Sequence, residues 1–322
     1  MKTNPFGLTI SVALLPLLPL ILMSAPAAPS PCDALAVQSF ALGAAPSAET
    51  QEFTSETRVV SFAPNGELGV TDIYRLRVRH APAAAGSPAG DMITCLRFSV
   101  QLGGGSEVEI PALKGLSYML DLGPDNGRPG HPMLGVPHAA FENLADAAGR
   151  SIPPGNAYHV YNAFIDLHAF CSIFTRPMGN GKGVEALRSI GQKIVHATAF
   201  TEAPVDLGSN VAKGSFFRNG EVTLEFKGIG VVDTLPCALL GVDSGRSSFQ
   251  MTMRPAPTME MKTTGSSHYK GDIYLNLATQ WVDRVDADEM VVTETTLPTP
   301  PNKIDSIVER TISIRNVTAR RP

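Results

Sequence analysis

The first candidate for a functional site in this 322-residue chain is a group of polar residues in the middle of the sequence: His159, Asn162, Asp166 and His168. On a helix the first three share one face and His168 falls off it, whereas on a strand Asn162, Asp166 and His168 point the same way. Such a face could hold a metal ion or a polar substrate, with His159 and Asp166 as candidate metal ligands. A hydrogen-bonded structural patch explains the same residues without a ligand.

A second candidate is Asp243-Ser244-Gly245, which follows the apolar segment 238–242. It resembles the Asp-(Thr/Ser)-Gly signature of aspartic proteases and departs from that family at Arg246. These enzymes need two carboxylates that share a proton, so a single motif would require a dimer. An ordinary turn also explains Asp-Ser-Gly. The candidate catalytic residues of a hydrolase are therefore Asp166, His168 and Asp243.

Other polar groups of the sequence are interpreted as structural. The run Gly265-Ser266-Ser267-His268 lacks a third group that would orient a serine nucleophile, and it fits a polar strand end. The glycines of 179–183 lack the order of a phosphate-binding loop. The acids of 283–289 do not follow a calcium-loop pattern and fit a solvated strand face. The sequence therefore predicts no cofactor.

The four cysteines are Cys32, Cys95, Cys171 and Cys237. An even number in an exported chain favours disulfides, and four cysteines allow three pairings between which the sequence does not choose. The pair Cys95–Cys237 is favoured here because both residues lie in strand-like segments. The alternative is four buried thiols, since free cysteine packs as a small hydrophobic residue.

The N-terminal segment has the pattern of a secretory signal. One basic residue precedes an apolar stretch over 8–23, and small residues follow at Ala25 and Ala27. This pattern predicts a signal peptide over 1–27, the alternative being an uncleaved anchor. We therefore expect a periplasmic or extracellular protein whose mature chain does not span a membrane.

Composition narrows the choice of partners. The net charge is −4, the sequence pI is about 6.0, and charged residues make up 17% of the chain. A nucleic-acid-binding protein typically carries a basic stripe, so this class is disfavoured. The composition does not indicate an oligomeric state.

The elements that must position these residues are mainly strands. Residues 28–52 are rich in Ala, Pro and Ser and predict a flexible lead-in, followed by a single β-rich domain over 53–322. Short consecutive strands in 53–120 and 205–318 predict two antiparallel sheet segments, joined by a loop and helix region over 121–204. The expected class is α+β: a mainly antiparallel meander, as a curved sheet or half-barrel, with a few central helices.

Local signals refine this outline. Asn65-Gly66 and Asn219-Gly220 each predict a β-hairpin turn. Apolar spacing predicts helices within 141–148 and 184–194. A third helix is predicted by an apolar stripe at spacings of four, three and four residues: Val160, Phe164, Leu167 and Cys171.

Four methionines lie on predicted strands: Met251, Met253, Met259 and Met261. They could line an adaptable apolar cavity or belong to an ordinary core. An exported chain of amphipathic antiparallel strands covered by helices resembles the LolA and LolB carriers in architecture. That resemblance implies a half-barrel around an apolar cavity, and an apolar small molecule or lipid as ligand.

Two functions follow from these observations. The first is non-catalytic binding of an apolar ligand or envelope partner, which a wide apolar cavity would favour. The second is hydrolysis, which a cleft gathering His159, Asp166 and a distant acid or histidine would favour. A structural envelope component is the third possibility. The incomplete polar groups favour binding over catalysis.

Overall fold

The strands of this protein form one large antiparallel sheet. The structure, a computed structural model, describes residues 38–63, 65–83, 90–123, 131–256, 259–298 and 302–318. The predicted signal peptide and Cys32 lie outside these residues. The strands are β1 Gln51–Phe62, β2 Leu68–Ala81, β3 Met92–Gln101, β4 Val108–Glu109, β5 Ser117–Met119, β6 Lys193–Ala197, β7 Phe200–Glu202, β8 Phe216–Asn219, β9 Val222–Val232, β10 Leu235–Asp243, β11 Ser247–Ala256, β12 Met259–Asn276, β13 Val282–Thr296 and β14 Lys303–Asn316.

The sheet is open and forks at β12. Its main path runs β4-β3-β2-β1-β14-β13-β12-β10-β9-β6, so the pairing of β1 with β14 joins the two predicted sheet segments. The first part of β12 pairs with β11, and its second part pairs with β10. Strands β11, β8 and β7 continue from the first part and are called the wall branch below. Strands β10, β9 and β6 form the other branch.

The chain passes between the two branches at two adjacent points. It leaves β8 for β9 at Gly220, and it leaves β10 for β11 through Ser244 and Gly245. A Cβ atom at Gly220 would lie 2.5 Å from the carbonyl oxygen of Ser244, so the two crossings touch through their backbones. The hairpin predicted at Asn219-Gly220 is therefore wrong, because β8 and β9 belong to different branches. The hairpin predicted at Asn65-Gly66 is confirmed by the pairing of β1 with β2.

One α-helix, α1 Pro154–His168, packs on one face of the sheet, which we call the inner face. Proline suits the first helical position because its missing N–H has no partner there in any case. The predicted stripe is confirmed: Val160, Phe164 and Leu167 are buried, and Phe164 stacks on Phe98 of β3 at 5.7 Å between ring centroids. The helix continues as a π-helical turn, Ala169–Ile173.

The other two predicted helices are wrong. Residues 141–148 contain only the end of a 3-10 turn, His138–Phe141, because Asn143 adopts a positive φ of 54° that a helix cannot include. Residues 184–194 form a 3-10 turn, Val184–Ala186, followed by a turn and β6. The described residues thus form a mostly antiparallel β structure with one α-helix rather than several.

The favoured disulfide between Cys95 and Cys237 is also wrong. Cys95 lies on β3 and Cys237 on β10, and five strands separate these two in the sheet. Neighbouring strands are about 4.8 Å apart, whereas the Cα atoms of a disulfide lie within about 7 Å. Cys95 and Cys171 carry free, buried thiols. Burial raises the pKa of Cys95 to about 12, which disfavours its reactive thiolate.

The described part of the predicted lead-in packs against the sheet. Leu42 is buried, and the ring of Phe40 contacts Phe226 edge-on at 5.2 Å. The backbone N–H of Gly43 donates to Oε1 of Gln280 at 3.0 Å. Among the described residues, no helix has both the length and the apolar character needed to cross a membrane.

Candidate functional site

A cavity of about 490 Å³ lies between α1 and the wall branch. The inner face of β12, β13 and β14 forms its floor, and a segment after β7 and the start of β9 complete its sides. This volume falls within the range of about 300–1,000 Å³ that is typical of small-molecule sites. The cavity exists because the sheet forks, since the wall branch stands away from the strands that pack directly against α1.

The sides of the cavity are mainly apolar. Phe217 of β8 and Phe249 of β11 lie directly opposite each other in the pairing and stack in parallel with ring centroids 5.7 Å apart. Ile165 of α1 also lines the cavity. Of the four strand-borne methionines that could line a cavity or belong to the core, Met251 contacts the cavity, whereas Met259 is 39% exposed outside it.

The floor carries a row of three polar residues in register. Tyr269 of β12 lies opposite Glu289 of β13, and Glu289 lies opposite Arg310 of β14. Paired residues of adjacent strands point to the same face, so all three project toward the helix. Arg310 and Glu289 are almost fully buried.

Asp166 of α1 completes this row from above, and we call the four residues the buried ionic cluster. One guanidinium nitrogen of Arg310, Nη2, donates to Asp166 Oδ2 at 2.5 Å. The other, Nη1, donates to Glu289 Oε2 at 2.5 Å and to Tyr269 Oη at 2.6 Å. Its Nε has no hydrogen-bond partner among the described residues. One cation therefore serves two buried carboxyl groups.

The protonation of Asp166 is shifted by its surroundings. Burial raises the pKa of Asp166 to about 6, with Arg310 opposing the rise and Glu289 adding to it. His159 lies about two turns earlier on the same helix face, and burial lowers its pKa to about 3. Its imidazole is thus neutral near pH 7, and its Nδ1 has no partner in the described chain.

A further acid lies at the side of the cavity. Glu202 of β7 accepts a hydrogen bond from Asn219 Nδ2 of β8 at 2.8 Å, and both residues contact the cavity. Burial raises the pKa of Glu202. This acid is separate from the buried ionic cluster in its hydrogen bonding, so it can be changed without removing a partner from Arg310.

The helical interpretation of 159–168 is confirmed, and on this helix the four predicted residues do not all lie in one site. His159, Asn162 and Asp166 share the face that lines the cavity, whereas His168 points elsewhere. His168 is fully buried, with Nε2 2.5 Å from Tyr118 Oη, and burial lowers its pKa to about 3. His168 therefore helps to fix the helix on the sheet and does not meet Asp166 in one site.

Asp243 lies on the opposite face of the sheet from Asp166. Because side chains alternate along β10, Val242 and Ser244 contact the cavity while Asp243 points away from it. Asp243 Oδ1 accepts the backbone N–H of Gly245 at 2.9 Å and lies 2.6 Å from His268 Nε2, both side chains being substantially exposed. The Asp-Ser-Gly segment is thus the turn of a branch crossing, and it does not form a carboxylate pair with Asp166.

The described residues place no third metal ligand beside His159 and Asp166. Within the described ranges, no group of three or more His, Cys, Asp or Glu side chains is placed to hold a metal ion. His159 and Asp166 line the same cavity, but Asp166 is already bound to Arg310.

Comparison with known proteins does not assign the chain to a family. No protein-family model matches the chain, and no curated protein matches its sequence.

Proposed function

We propose that this chain is an exported, non-catalytic protein that binds an apolar or amphipathic small molecule between α1 and the wall branch. The single observation that carries the proposal is the cavity of about 490 Å³ with mainly apolar sides and a polar cluster at its floor. Small-molecule sites commonly combine an apolar lining with a few placed polar groups. The apolar sides would bind most of the ligand surface, and the floor would orient its polar end.

Two further observations support the proposal. An open antiparallel sheet with one helix on its inner face is compatible with the half-barrel of the LolA and LolB carriers, which the sequence resembles in architecture. Export is proposed from the apolar N-terminal pattern over 1–27. A ligand carrier outside the cytoplasm agrees with both.

A hydrolase is less well supported, although the cavity does gather His159, Asp166 and the distant acid Glu289. Both carboxyl groups bind the same guanidinium, that of Arg310, which holds them as a structural ion pair network. None of the described contacts pairs a serine or cysteine nucleophile with a base in this cavity. Binding requires fewer groups than catalysis, and the groups present suffice for it.

The proposal is tested with the neutral fluorescent probe N-phenyl-1-naphthylamine and the full chain, purified without detergent. We expect saturable fluorescence enhancement by the wild type, and native mass spectra that show removable apolar adducts. Val291→Trp fills the cavity floor and should weaken probe binding by at least about tenfold. Val292→Trp is the matched control, because Val292 is 48% exposed on the opposite face of β13.

Two results would contradict the proposal. One is the absence of saturable probe binding by the folded wild type. The other is an equal effect of the two tryptophan variants, provided that both unfold with wild-type cooperativity.

A further inference from the structure

The cavity contains an excess of acidic over basic side chains. Among its lining residues, three acids face one cation: Asp166, Glu202 and Glu289 against Arg310. Two of these acids already share the guanidinium, and within the described part of the chain the hydrogen-bond partner of Glu202 is the neutral Asn219. A buried negative charge without a counter-charge is costly, and it is relieved by a proton or by a cationic ligand.

The lining is also rich in aromatic rings. Seven Phe and Tyr side chains contact the cavity, contributed by α1 with its π-helical turn, by the wall branch and by the floor. The Tyr269 ring already lies near a cation, with the guanidinium carbon of Arg310 5.9 Å from the ring centroid. The negative face of an aromatic ring attracts organic cations, and quaternary ammonium sites use such rings.

We propose that the ligand of this cavity is an amphipathic organic cation, in which an ammonium head faces the acids and aromatic rings and an apolar tail lies along the wall branch. This inference rests on the proposed binding function and specifies its ligand class. An anionic head, such as a carboxylate, would meet Asp166 and Glu289 and would be repelled. A neutral head would leave the acidic excess uncompensated.

The test compares three single-chain ligands of equal length as competitors of N-phenyl-1-naphthylamine at pH 7.5, all below their critical micelle concentrations. They are dodecyltrimethylammonium, dodecanol and dodecanoate. We expect dodecyltrimethylammonium to displace the probe at a concentration at least about tenfold lower than dodecanoate, with dodecanol between them. Equal or better displacement by dodecanoate or dodecanol, or no displacement by any of the three, overturns the inference.

Substitutions of single acids test which side chains cause the preference for a cationic head group. Glu202→Gln should weaken dodecyltrimethylammonium several-fold and leave dodecanol unchanged, and it spares the partners of Arg310. Glu289→Gln should also weaken dodecyltrimethylammonium, but it removes one of the two carboxyl partners of Arg310, so Glu202→Gln is the cleaner variant. Glu294→Gln is the matched control on the same strand, because Glu294 pairs with Lys303 away from the cavity. Unchanged selectivity in both cavity variants contradicts the inference.

A pH series adds an independent readout, because the charge of dodecyltrimethylammonium is fixed. Its binding should tighten between pH 5 and pH 7.5 as Asp166 loses its proton. The groups that face Asp166 are Arg310 of β14, Glu289 of β13 and Tyr269 of β12, with His159 on its own helix. His159 is neutral over this range, so it does not reverse the trend.

The failures of the two proposals can be told apart. If the probe itself does not bind, the binding function fails. If the probe binds and is displaced as well by the anion as by the cation, the binding function stands and the ligand class is wrong.

Discussion

Arg310 is a fully buried arginine whose charged partners are both buried acids. A buried ion pair gains little over an apolar replacement of the whole group, but the loss of one partner leaves an uncompensated charge. Here the loss of Arg310 would leave the buried carboxyl groups of Asp166 and Glu289 close together without a counter-charge. The cluster therefore makes the folded state depend strongly on this one side chain.

We expect Arg310→Met to lower the free energy of unfolding by about 3–5 kcal/mol, measured by urea denaturation at pH 7.5. The matched control is Arg315→Met on the same strand, whose side chain is 39% exposed and pairs with Asp286. An exposed ion pair contributes about 0–1 kcal/mol, so the control should change stability by no more than that. Equal effects of the two substitutions would refute the assigned role of Arg310.

Asp166 should give stability a distinctive pH dependence. Its pKa is about 6 in the folded state against 3.8 for the unperturbed group, so the folded state binds the proton more tightly. The stability from this proton is complete below about pH 3.8 and is lost as the pH rises through 6. Between pH 4.5 and 7.5 the wild type should lose about 2 kcal/mol relative to Asp166→Asn. Parallel pH profiles for the two proteins would contradict the assigned pKa.

At the scale of residues, the sequence carries a signal for the buried ionic cluster. Arg310, Ile312 and Ile314 occupy alternate positions along β14, so Arg310 shares the face of the two buried isoleucines. A charged residue on an apolar strand face indicates a buried ion pair. Glu289 likewise shares its face with Ala287 and Val285. Their partners could not be predicted, because Asp166 meets Arg310 across 144 positions of the chain through strand register and helix docking.

At the scale of elements, the fork in the sheet depends on a close approach between two backbone crossings. Gly220 lies against the Ser244–Arg246 crossing, with its position for a Cβ atom only 2.5 Å from Ser244 O. The backbone of one crossing cannot shift without moving the other. The crossings therefore fix the angle between the wall branch and the rest of the sheet.

We expect Gly220→Ala to destabilise the protein by about 1–3 kcal/mol in thermal or urea unfolding, because the added methyl group must displace backbone. The matched control is Gly155→Ala in the first turn of α1. A Cβ atom there has no neighbour within 4 Å and alanine favours helices, so the control should be neutral or slightly stabilising. A neutral Gly220→Ala would show that the crossings can separate.

The elements differ in how well the sequence predicts them. Helix α1 was predictable because its apolar stripe and the prolines at its start agree. The helices expected over 141–148 and 184–194 were not formed, because buried loop residues such as Phe141 and Leu187 imitate helical spacing. The fork was not predictable, because Asn219-Gly220 has the local signature of a hairpin while long-range pairing directs β8 to β11.

For the whole molecule, stability should be unevenly distributed. Strands β7 and β8 are three and four residues long, and their Phe200 and Phe216 are 49% and 36% exposed. In contrast, Ile312 and Ile314 of β14 are fully buried at the centre of the sheet. Segments with few buried apolar contacts open at lower free energy than the core.

Hydrogen exchange should therefore be faster in β7 and β8 than in β14 of the wild type, measured by mass spectrometry of the full chain. Saturating N-phenyl-1-naphthylamine should slow exchange in β8 and β11 more than in β14, because the probe would lie along the wall branch and would reach β14 only at Arg310 on the floor. Uniform protection of all strands by the probe, or no protection of the wall branch, would be incompatible with the cavity as the binding site.

The fork also influences how such a chain can diverge over generations. On the proposed binding function, substitutions of cavity-lining residues of β8 and β11, such as Phe217 and Phe249, should alter ligand preference at little cost to folding, because these residues lie outside the buried core beneath α1. Substitutions along β14 or α1 should affect ligand binding and folding together. In a lineage descended from this chain, variation should accumulate in the wall branch first, and new ligands can be acquired there while the rest of the sheet is inherited intact.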